Sequence, residues 1–151
     1  MRLSTMKVDP ELESKGVWVD FGEGFECLIA RDQNPEHRAL LRRLMKKYRG
    51  FDEIPEDRAR EIDAKAMAKC IVLDWRGLLD DDDTEIPYSE GKAYEILVDP
   101  AYRPLVAKIK VASATNETFR PVSAEATAKN SPTSSSGTST TGTKRSRSLT
   151  S

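Results

Sequence analysis

Near its N-terminus the chain alternates apolar and polar residues with a period of two. In "GVWVDFGEGFECLIAR" (16–31), Val17, Val19 and Phe21 alternate with Trp18 and Asp20, and Phe25, Cys27 and Ile29 alternate with Glu26 and Leu28. Successive side chains of a strand point to opposite faces, so this pattern predicts two strands, each with one buried side. The break between them is Gly22-Glu23-Gly24, where glycine supplies the positive φ of a tight turn. A β-hairpin is therefore expected, and its glycines are turn chemistry rather than a phosphate-binding loop.

The period then lengthens to that of helices. Asn34 is suited to an N-cap and Pro35 to a first helical position. Leu41, Leu44, Met45 and Tyr48 follow at i, i+3, i+4 and i+7, with Arg42, Arg43, Lys46 and Lys47 on the other side and Gly50 ending the run. Such a basic face can grip an acidic partner, although a charged helix face is more often simply solvated. A longer helix is predicted from Pro55-Glu56 to about Trp75, with Ile62, Ala66, Cys70 and Leu73 forming a stripe flanked by Ala59, Met67 and Ile71. Its last part, "CIVLDW" (70–75), is apolar almost all round, the signature of a helix crossing a small core, and Trp75 is expected inside that core.

Two more helices complete the body. Ser89 can cap a short one carrying Ala93, Tyr94, Ile96, Leu97 and Val98. Asp99 and Pro100 open the next, whose regular part is expected from Pro104, with Leu105, Ile109 and Ala112 sharing a face. Phe119 is expected as a last core residue, and Pro121 as a break before a short helical piece. The fold class is α+β, mainly α-helical: a small N-terminal β-hairpin packed on a compact helical domain. That domain is expected over 16–130, after a flexible segment 1–15 and before a disordered tail 131–151.

Composition sharpens these boundaries. Of the 21 residues from 131 to 151, 14 are Ser or Thr, too little apolar surface to offset the entropy of ordering. The tail carries +3 from Lys144, Arg145 and Arg147, so a chain of net charge −1 leaves −4 for the other 130 residues. A mildly acidic body disfavours nucleic acid as a main ligand, and three cations in a flexible tail are read as non-specific. No apolar run approaches the roughly 18 residues of a membrane span. The N-terminus lacks the apolar core of a secretory signal, so a cytoplasmic protein is expected.

Candidate chemistry is sparse. Cys27 and Cys70 stand far apart within apolar patterns and are expected as buried thiols, neither a disulfide nor a metal knuckle. The single histidine, His37, is placed in the exposed first turn of its helix and has no nucleophile or metal partner spaced around it. Four consecutive aspartates, Asp80 to Asp83, raise the question of a metal or hydrolase site. Counted as a calcium loop from Asp80, the position that needs glycine holds Glu85, and the position that needs a bidentate glutamate holds Gly91. A catalytic carboxylate pair needs a fixed separation and unequal pKa values, which a flexible acidic run does not supply. The aspartates are therefore expected to form a hydrated connection between helices. No catalytic, cofactor-binding or metal-ligating residue is expected, and no partner-binding residue is placed.

The order of parts resembles the tail assembly chaperones of long-tailed bacteriophages. The resemblance is carried by "VLDWRGLLDDDDTEIPYS" (72–89), "DPAYRPLV" (99–106) and "FRPVSAEATAKN" (119–130), and it covers roughly residues 15 to 130. It implies a non-enzymatic protein of the host cell cytoplasm, without cofactors. Such a protein binds the tape measure protein, helps recruit tail tube subunits, and is absent from the finished virion. The implied partners are the tape measure and tail tube proteins, with self-association left open and neither nucleic acid nor membrane involved. The alternative is a phage-encoded regulatory or interference protein on the same scaffold that sequesters a tail or host component. A metal-dependent hydrolase using the Asp run is the weakest of the three readings.

Overall fold

A computed structural model describes residues 1–121, and the predicted tail 131–151 lies outside them. The hairpin forms where the alternation places it. β1 (Val17–Asp20) pairs antiparallel with β2 (Glu26–Ile29), with Val17 opposite Ile29 and Val19 opposite Cys27. Gly22, Glu23 and Gly24 all take positive φ in the turn, where Phe25 N–H donates to the Gly22 carbonyl.

A third strand corrects the sequence reading. The long helix α3 runs only from Glu56 to Cys70; "VLDWR" is strand β3 (Val72–Arg76), antiparallel to β2 in the sheet order β1-β2-β3. The pairing explains why the pattern misled. Leu28 sits opposite Asp74 and Ile29 opposite Val72, so Leu73 is the extra residue of a bulge. The bulge turns Val72 and Trp75 both inward although they are three apart, a spacing that otherwise marks a helix face. A short buried apolar run cannot be assigned by period alone, and here the partner strand decided it.

Four further helices frame the sheet: α1 (Pro10–Lys15), α2 (Pro35–Met45), α4 (Glu90–Val98) and α5 (Arg103–Ala114). Each of the last three is entered as the sequence suggests. The Asn34 side chain accepts from His37 N–H, Ser89 Oγ from Lys92 N–H, and Asp99 from Ala101 N–H in a 3₁₀ turn leading into α5. The main core gathers Cys27, Ile29, Met67, Ile71, Trp75 and Ile109 with their neighbours between the sheet and α3, α4 and α5. Leu40 of α2 packs on Ala66 and Cys70 in a smaller cluster on the other side of α3. The α+β, mainly helical class holds, with a three-stranded sheet in place of a two-stranded hairpin.

Three local expectations change. The segment 1–15 is not uniformly free. Asp9 caps α1, its N–H donates to the Phe119 carbonyl at 3.0 Å, and Arg31 N–H donates to the Glu13 carbonyl at 2.8 Å. On α2 the buried residues are His37 and Leu40, with Leu41 and Leu44 half-buried, whereas Met45 is 44% exposed. On α5 it is Ser113, not Ala112, that joins Ile109 in the interior.

Candidate partner-binding surface

Cys27 and Cys70 are free and buried; burial, then the Asp74 carboxylate, pushes the Cys27 thiol up to about 12, and burial also raises Cys70. Both stay protonated and unreactive near neutral pH. His37 is not exposed, as its first-turn position suggests, but 3% exposed. Its Nδ1 accepts from Gln33 N–H at 3.0 Å and lies 3.6 Å from Asp32. Burial lowers its pKa, with the Asp32 and Asp63 carboxylates opposing and Lys110 assisting, so the imidazole is a neutral strut between α2 and the turn before it.

The acidic run joins strand β3 to helix α4, not two helices. Asp80 organises it, accepting from the N–H groups of Asp82 and Thr84 through one carboxylate oxygen at 2.8 and 2.9 Å. Asp83 takes positive φ, and Leu79 bridges antiparallel to Glu85, so the loop closes like a small hairpin. Its base is tied to the core: the Trp75 indole N–H donates to the Ile86 carbonyl at 2.8 Å, and the Tyr88 hydroxyl donates to the Val72 carbonyl at 2.9 Å. Among the described residues no cluster of His, Cys, Asp and Glu is arranged to hold a metal ion. No helix among them is long and apolar enough to cross a membrane.

One charge pair escaped the sequence reading. Glu26, on the polar side of the alternation, is 1% exposed and accepts from Arg76 Nε at 2.6 Å. The Arg76 guanidinium lies 4.0 Å from the centre of the Trp18 ring. Register places Glu26 opposite Arg76, and that pairing needs β3 to be a strand. Arg76 thus lies between Glu26 and Trp18 on the outer sheet face, and the second Glu26 carboxylate oxygen is buried without a hydrogen-bond partner.

An open surface lies at the C-terminal half of α2, and a second open groove, of about 680 Å³, runs between α3 and α5 with the paired Asp63 and Lys110 in its lining. Beyond Met45 the chain tightens into a 3₁₀ turn at Lys46–Tyr48, then reverses at Gly50, whose φ of +90° suits glycine. The reversal sets the Phe51 ring edge-on against Tyr48, centroids 5.7 Å apart. Between this loop and α2 runs a groove of about 690 Å³ with Leu41, Met45, Tyr48, Phe51 and Ile54 as its apolar lining. Residues 38–49 contribute six cations (Arg38, Arg42, Arg43, Lys46, Lys47 and Arg49) and no acid. Among the described residues none of the six pairs with a carboxylate. The buried side of α2 packs on α3 through Leu40, and this other side is open to solvent.

The chain is thus a small, mainly helical α+β protein with an open groove, cationic on its α2 side, at the end of α2. A family model described as YdaY prophage protein matches residues 32–130, most of the chain, and the protein belongs to this phage-derived family. The match begins beside α2 and spans α3, the acidic loop and α5. No curated protein and no solved structure matches.

Proposed function

We propose that this prophage-family protein is a tail assembly chaperone: it binds the tape measure protein in the host cytoplasm and helps bring tail tube subunits to it. It then departs before the virion is complete. The observation that supports this reading is the unpaired, apolar-floored groove beside α2 in a chain of phage origin. A client that is long and helical must hide apolar stripes before assembly, and helix-in-groove binding is the mode that hides them. In this reading the protein performs no covalent step and needs no cofactor.

The test is co-expression with the tape measure protein encoded by the same phage. The tape measure should become soluble and co-purify with the chaperone. A tape measure that stays insoluble and unretained overturns the proposal. The prophage character of the family also favours a second reading, an interference protein on the same scaffold. Retention of a host protein in place of tail components supports that reading instead.

A further inference from the structure

We propose that the groove between α2 and residues 46–54 is a docking site selective for an acidic amphipathic helix. The proposal deepens the chaperone reading by naming the chemistry of the client face, and it rests on that reading only for the client being a protein helix. Arg38, Arg42 and Met45 recur at i, i+4 and i+7 of α2, so they share one side that faces away from Leu40 and the smaller cluster, and Lys46 and Arg49 join them in the groove from the turn beyond. Met45 and Phe51, 44% and 61% exposed, stand on opposite walls of the groove. With cations on the α2 wall and Asp52 and Glu53 on the loop wall, the apolar floor complements a helix whose apolar stripe carries carboxylates on the flank that meets α2.

Other occupants fit less well. No strand edge lies in the groove, so an extended peptide gains no ladder of backbone hydrogen bonds there. A duplex, charged on both sides, would meet Asp52 and Glu53 on the loop wall, and for a single strand Lys47 already lies 5.3 Å from the centre of the Tyr48 ring, where a base would stack. A second copy could offer its Asp80–Asp83 loop. That loop is tied down by its own backbone bonds and exposes one large apolar side chain, Leu79, rather than a stripe.

The probe is a labelled synthetic helix of about five turns, with leucines at i, i+3, i+4 and i+7, glutamates on one flank and glutamines on the other. Binding is read by fluorescence anisotropy on the full chain. Saturable binding is expected, weakened about tenfold by the double variant Arg42→Glu/Lys46→Glu and weakened by added salt. Met45→Ser/Phe51→Ser should also weaken it while keeping every charge. All four positions are exposed, and an unchanged circular dichroism melt confirms that each variant folds. Equal binding of a peptide with lysine flanks, or no response to either double variant, overturns the proposal. So does groove-dependent binding of single-stranded or duplex DNA that is tighter than the peptide's. So, too, does salt-sensitive self-association that Asp81→Lys/Asp82→Lys abolishes and that excludes the peptide.

The two proposals fail separately. If the tape measure co-purifies equally with wild type and with Arg42→Glu/Lys46→Glu, the groove assignment falls and the chaperone reading stands. If the peptide binds the groove but no tail protein co-purifies, the reverse holds.

Discussion

Two stretches of this chain are densely charged, and the structure treats them differently. The acidic loop at Asp80–Asp83 turns its charge into local architecture. One Asp80 oxygen gathers two backbone N–H groups, and the loop's base is pegged to the core through Trp75 and Tyr88. The cationic stretch at residues 38–49 does the opposite. Its side chains organise nothing around them, and they border apolar groups that remain open to solvent. Charge density by itself therefore does not mark a binding surface. The useful signal is charge with no partner inside the fold, next to apolar surface with no cover.

Breaking the peg of the acidic loop should have the largest effect. Trp75→Ala removes a buried indole, its edge-on contact with Tyr88 at 5.0 Å and the hydrogen bond to Ile86. It should lower stability by about 3–5 kcal/mol, measured by urea denaturation. Phe51→Ser, on the groove side, should shift stability by no more than about 0.5 kcal/mol, because that ring is mostly exposed. Equal losses from the two would erase the distinction between a structural and a free aromatic.

Within the loop, Asp80 should matter more than its neighbours. Asp80→Ala removes the acceptor of two backbone N–H groups and should cost about 1 kcal/mol. Asp81→Asn with Asp82→Asn, at exposed positions, should stay within about 0.5 kcal/mol. If the double asparagine variant proves the more damaging, the carboxylates act as charges and the loop is more than a tied turn.

His37 gives a smaller, pH-dependent contrast. Its folded pKa is lowered, so the unfolded chain takes up a proton more readily than the folded one. The neutral-histidine contribution is complete above its unfolded pKa of about 6.5 and is lost as pH falls from there through the lower folded value. Thermal midpoints followed from neutral pH downward should show this slope. His37→Asn keeps an acceptor for the Gln33 N–H and should flatten it. An unchanged slope in that variant would assign the acid sensitivity to other groups.

Much of the scaffold is legible in local chemistry. The hairpin follows from alternation around Gly22-Glu23-Gly24, and α2, α4 and the turn into α5 follow from the caps Asn34, Ser89 and Asp99. These features depend on neighbours a few residues away, so the linear pattern contains their cause. The basic side of α2 is legible too, as a run of cations. That Met45 and Phe51 share a groove with those cations is not, because it requires the chain reversal at Gly50.

The remaining features arise from partners distant in the chain. Whether "VLDWR" continued a helix or formed a strand was decided by β2, some 45 residues earlier, whose free edge accepted it with a bulge at Leu73. Once β3 stood there, Arg76 met Glu26 across the sheet, and a carboxylate on the polar side of an alternating strand became buried. The same pairing closed the turn at Gly77, where an added Cβ would overlap the Gly24 carbonyl oxygen. His37 likewise became an interior residue because α3 and α5 pack over the first turn of α2. Local sequence determined which segments could be helix, turn or hairpin, since capping and alternation act over a few residues. Tertiary packing decided which ambiguous run became a strand and which polar groups were buried, since those outcomes depend on hydrogen bonds and contacts that form only when remote segments meet.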